Sequence, residues 1–174
     1  MDPFFVWIEE SALTTFLRET NSVFVFPAML VLHAVGMALL VGTHLVVAVR
    51  ILGLAPLVPL SALKFFVPVG WVGLGVNVFS GVLLLAAYPT KALTNPLFYI
   101  KMSLVVIALI VFTKINKSVF CGASEGTGGD TDGGGATLAL RDKRMAMLLL
   151  ILWAATIFAG RFLAYTYTRL TAFN

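Results

Sequence analysis

The chain has 174 residues, 60% of them hydrophobic and 11% charged, with a formal net charge of +4. Soluble domains carry about 25% charged residues, so a mean hydropathy of +0.99 places this chain in the membrane class. One cysteine and two histidines exclude a disulfide framework and any cysteine-rich zinc or iron–sulfur site.

All eight carboxylates lie outside the apolar runs: Asp2, Glu9, Glu10 and Glu19 near the N-terminus, and Glu125, Asp130, Asp132 and Asp142 in one late loop. This argues against an Asp/Glu proton relay within the membrane. The basic residues cluster beside apolar spans, which points to a lipid bilayer and not to nucleic acid.

In chain order, residues 3–18 read as a short amphipathic helix lying in the membrane interface, with Phe4, Trp7, Ile8 and Leu13 on one side. A membrane-spanning helix needs about 20 apolar residues, and four stretches qualify: 23–51, 66–88, 97–115 and 145–167. Pro56 and Pro59 break the chain after the first span, and Pro89 and Asn95-Pro96 bound the turn after the second. Residues 121–136, with seven glycines and three acids, read as a flexible linker. The fold expected is all-α, a four-helix transmembrane bundle forming a single domain.

Four spans put both termini on the side that holds Arg18, Lys91, Lys101 and Arg169. The other side holds Arg50, Lys64, Lys114, Lys117, Arg141, Lys143 and Arg144. Positive charge favours the cytoplasm, so the reading is a bacterial inner-membrane protein with both termini periplasmic and a cytoplasmic Gly-rich loop.

Both histidines fall in the first span. His33 and His44 are eleven residues apart, about 20° from the same direction and about 16 Å apart along the axis. Intramembrane histidines are rare and face the bundle interior or a cavity. Three readings compete. Each imidazole is an interhelical hydrogen-bonding group; or both ligate haem b, stacked at two depths; or Met29, His33 and Met37, one turn apart, offer soft sulfur and imidazole to copper. Under the haem reading the missing ligands come from a parallel homodimer, from Met147 opposite His44, or from a partner subunit.

Arg161 lies within the fourth span, about 9 Å from its outer end, and a central arginine costs about 2.5–3.5 kcal/mol on insertion scales. It either snorkels outward or holds an anionic group of a cofactor. Lys101, about one turn into the third span, and His33 share its outer level, so the three define an expected outward-facing pocket bordered by Tyr88, Trp153 and Tyr165. In the second span Gly70, Gly73, Asn77, Ser80 and Gly81 form a small, polar face suited to close helix packing.

The run Leu32-His33 to Gly42, then Val49-Arg50-Ile-Leu-Gly53, Trp71, Pro89-Thr-Lys, Asn95-Pro96 to Lys101, and Ala159-Gly160-Arg161-Phe-Leu-Ala resembles the DUF6644 family. These are small bacterial four-span membrane proteins, loosely similar to the CopD-type copper-resistance membrane domain. The resemblance covers most of the chain and implies the four-span fold and functional positions at His33, Lys101 and Arg161, but not at His44. Ala48 and Val49 stand where the family pattern carries an acid before the arginine.

The function expected is a haem b-binding subunit in electron transfer, with His33 and His44 as iron ligands and Arg161 and Lys101 as propionate partners. Copper handling through Met29, His33 and Met37, and a cofactor-free structural subunit of a larger membrane complex, are the alternatives. An enzyme acting alone is not expected, since the sequence shows no nucleophile–base pair or carboxylate dyad.

Overall fold

A computed structural model describes residues 24–87, 89–121 and 140–170. The expected interfacial helix at 3–18, Tyr88 and the Gly-rich stretch beyond Cys121 lie outside the described residues. The chain forms helices α1 (Val25–Ile51), α2 (Leu60–Ala87), the short α3 (Pro89–Leu93), α4 (Pro96–Asn116), a π-helical turn (Lys117–Cys121) and α5 (Leu140–Leu170). Four are long and apolar enough to cross a membrane, over Val25–Ile51, Ser61–Ala87, Pro96–Val119 and Leu140–Leu163. The protein is a multi-pass, all-α membrane bundle.

Local chemistry explains the boundaries. α1 stops at Gly53, whose φ of 86° is open to glycine without a Cβ penalty. There Gly53 N–H donates to Arg50 O and Leu54 N–H to Val49 O, which closes the helix as a Schellman motif. α4 starts at Asn95, whose side chain accepts from Leu97 N–H at 3.0 Å, with Pro96 just inside the helix.

Two helices begin earlier than the sequence reading expected. α2 starts at Leu60, so Pro68 lies inside it and leaves the Lys64 carbonyl without its helical donor. Lys64 is exposed on the opening turns, where its charge is compatible with helix because the long stem reaches out of the apolar zone. α5 starts at Leu140, which moves Asp142 from the expected loop into the first helical turn. An acid is favoured there by the helix dipole; Asp142 is buried and accepts a 2.9 Å hydrogen bond from Ser118 Oγ, tying the end of α4 to the start of α5.

α2 packs on α1, α1 on α5, and α5 on α4; α2 and α4 are joined through α3 and share no comparable interface. The α1–α2 contact is close because it is built on glycine. A Cβ on Gly36 would stand 2.7 Å from Asn77 N, and one on Gly73 would stand 2.7 Å from Leu40 N. Small residues let membrane helices approach to this distance, and dispersion replaces the hydrophobic effect as the driving force in lipid. The apolar core gathers in one half of the bundle, from Leu40, Val47 and Ile51 through Leu63, Phe112 and Ile115 to Leu149 and Trp153. The half toward the N-terminus of α1 is packed by small and polar residues.

Candidate functional site

That second half holds His33. The residue lies about 12 Å into α1, partly buried, with Nδ1 3.0 Å from Ser80 Oγ on α2. The Ser80 hydroxyl is 2.7 Å from the carbonyl of Val76 one turn back. A serine has one O–H to donate, and the short contact to Val76 takes it. The Ser80 oxygen is then an acceptor, so Nδ1 of His33 carries the proton. In that tautomer Nε2 carries the lone pair.

Two further contacts fix this ring. Asn77 Nδ2 donates to the His33 backbone carbonyl at 3.0 Å, locking α1 to α2 one turn from Ser80. A Cβ on Gly81 would come within 3.3 Å of His33 Cε1, so the glycine leaves room for the ring edge. The small, polar face expected on α2 is the face that holds His33.

His44 is in a different environment, although it points in nearly the same direction from α1. It is 2% exposed, its ring stacks on Phe112 of α4 with centroids 3.7 Å apart, and Nδ1 accepts the Trp153 indole N–H from α5 at 2.9 Å. Indole is a donor only, so the neutral imidazole carries its proton on Nε2. A metal-ligating histidine has the reverse arrangement, donating from one nitrogen and binding with the other. The expectation that His44 is a second haem ligand therefore does not fit this geometry: one nitrogen is taken by Trp153, the other is protonated, and one ring face is covered by Phe112. Met147, considered opposite it, is 51% exposed on the outer surface of α5. α2 stays against α1 as far as Thr43, where Gly70 packs, so His44 meets α4 and α5 beside that contact.

Lys101, about 7 Å into α4, is partly buried and within electrostatic range of His33. Its side chain lies along α5 at Gly160, where an added Cβ would sit 3.9 Å from Nζ. Arg161 is one residue further, about 100° round the helix, and exposed. The structure thus brings His33, Ser80, Asn77 and Lys101 to one level and leaves Arg161 on the outer surface of α5. Trp153 belongs to the core half with His44, and Tyr165 is exposed, so neither borders His33. Met29 is buried and Met37 packs against the apolar core.

No family model, curated protein or solved structure matches the chain. Among the described residues no group of three His, Cys, Asp or Glu side chains converges as a metal site. Any iron or copper here would therefore depend on His33 together with ligands of another kind or from another chain.

Proposed function

We propose that the chain is a membrane subunit that binds haem b through Nε2 of His33 and takes part in electron transfer. The observation that carries this reading is the relay Val76 C=O, Ser80 O–H, His33 Nδ1–H. It holds the imidazole in the tautomer and orientation that an axial ligand needs, and a hydrogen bond to the far nitrogen is the usual support of such a ligand. Haem bound there would supply one-electron chemistry, tuned by ligand identity and the charges around it.

The residues divide the work. His33 supplies the lone pair. Ser80 sets its proton, and Asn77 fixes the backbone from which it projects. Gly81 leaves space at the ring edge. Lys101 is the cation at the same level and is the propionate partner in this reading. Arg161, exposed one step round α5, is a snorkelling anchor. With His44 engaged elsewhere, any second ligand would be of another kind or come from another chain, so the reading includes a parallel homodimer or a larger membrane complex. In this reading, on the count of basic residues, the site lies toward the periplasmic face of a bacterial inner membrane.

The test is haem content per chain in purified protein reconstituted with haem b. The reading expects stoichiometric pigment in the wild type and none in His33→Ala. A colourless wild type that holds its fold would leave the structural-subunit reading, and copper lost on His33→Ala, Met29→Ala and Met37→Ala would favour the soft-ligand one.

A further inference from the structure

The other end of α1 carries a groove of about 240 Å³, lined by Leu45, Val46, Val49, Arg50, Ala55 and Val58. It exists because the turn at Gly53 sends the chain back beside the last turns of α1, where the Arg50 Nε–H donates to the Val58 carbonyl and holds the loop in place. Leu45 and Val46 are exposed on the span surface, so the wall of the groove faces lipid acyl chains. Arg50 stands where the apolar span ends, at headgroup level. A guanidinium has five N–H donors, and no contact among the described residues beyond Val58 uses the rest.

An apolar wall that ends in a cation with open donors complements an amphiphile with an anionic head. We propose that this groove holds one acyl chain of an anionic phospholipid whose phosphate sits on Arg50. Arginine favours this role over lysine because its planar fork meets phosphate oxygens in pairs. The basic count places the groove on the cytoplasmic side, where anionic headgroups attract juxtamembrane arginine and lysine. Arg50 then has two tasks, closing the loop through Nε and holding a lipid through its terminal amino groups.

The full chain, purified in detergent, is offered phosphatidylglycerol or phosphatidylcholine with the same acyl chains, and bound lipid is counted by native mass spectrometry. The wild type should retain one phosphatidylglycerol in preference to phosphatidylcholine. Arg50→Gln should weaken that preference about fivefold, the effect of one basic residue at an anionic surface, and Arg50→Lys should keep most of it. Val46→Trp, which fills the groove from its lipid-facing wall, should lower retention of both lipids. Lys143→Gln, at the same membrane end but outside the groove, should change nothing. The proposal is overturned by equal retention in wild type and Arg50→Gln, by unchanged retention in Val46→Trp, or by Arg50→Lys behaving as Arg50→Gln, which would trace the effect to the loop. A loss in Lys143→Gln as large as in Arg50→Gln would reduce it to general charge, and a dimer abolished by Val46→Trp with lipid retention unaltered would make a second copy the occupant.

Discussion

Trp153 donates its indole N–H to Nδ1 of His44 at 2.9 Å, and this bond separates two histidines that the sequence presents as equivalents. His44 becomes a buried acceptor clamped between α4 and α5. His33, held by Ser80 through the same nitrogen but as a donor, carries its lone pair on Nε2. The same residue type, eleven positions apart on one helix, is thus structural at one depth and available for ligation at the other.

Trp153→Phe should therefore destabilise the bundle without touching the pigment. Nδ1 of His44 loses its donor in a site closed to water, and a buried polar group left unpaired costs about 1–3 kcal/mol. Thermal unfolding in detergent would show a lower midpoint, with haem content per folded chain unchanged. A parallel loss of pigment would mean that His44 does more than pack.

Ser80→Ala acts on the other histidine. It removes the acceptor of the His33 Nδ1 proton and frees both tautomers. Loss of such a supporting hydrogen bond lowers metal-site affinity about 10–100-fold. Haem titration should show that drop with little change in unfolding, since Ser80 also back-bonds within α2 and its removal leaves no cavity beyond one hydroxyl. Unaltered affinity would remove the relay from the account.

The four spans were legible because twenty apolar residues in a row admit few other structures, and the small face of α2 was legible from its helical spacing. The starts of α2 and α5 were not. Lys64 and Asp142 look like loop residues by charge, whereas the first helix turn accepts a snorkelling lysine and favours an acid. The pairing of the histidines was also hidden. Angular arithmetic places His33 and His44 on one face, but it does not show which neighbour meets each ring: Ser80 of α2 meets His33, and Phe112 of α4 with Trp153 of α5 meets His44. Trp153 carried the signal that was missed: a buried indole in lipid needs an acceptor, and the chain has few candidates to serve it.

Gly73→Leu and Gly36→Leu should separate α1 from α2. Even a Cβ at either position stands 2.7 Å from backbone nitrogen of the facing helix, and backbone cannot move aside as a side chain can. Both variants should unfold at lower temperature and lose haem together, because His33 and Ser80 sit on opposite sides of that contact. Gly75→Leu, where an added Cβ meets nothing within 4 Å, is the control and should be close to neutral.

Lys101→Leu and Arg161→Leu distinguish the two cations. Removing Lys101 should lower haem occupancy and shift the midpoint potential downward, since a positive charge near the site favours the reduced form. Arg161→Leu should leave both unchanged and be neutral or slightly stabilising, as lipid prefers leucine at an exposed span position. Potentiometric titration of the two variants checks this, and the reverse pattern would place the propionates against α5.

Topology is open to a direct check. Reporter domains active only in the periplasm should work when fused after Asn174 and fail when inserted at Gly128. The opposite result would move the His33 site to the cytoplasmic side.

The central claim, that His33 alone in this chain is the iron ligand, is tested most directly by reduced-minus-oxidised visible spectra of the haem-reconstituted wild type, His33→Ala and His44→Gln. Glutamine keeps an acceptor for the Trp153 indole, so the His44 variant tests ligation and not folding. The account predicts α and β bands of equal size in the wild type and His44→Gln, and none in His33→Ala. Bands that survive His33→Ala, or that halve in His44→Gln, would contradict it.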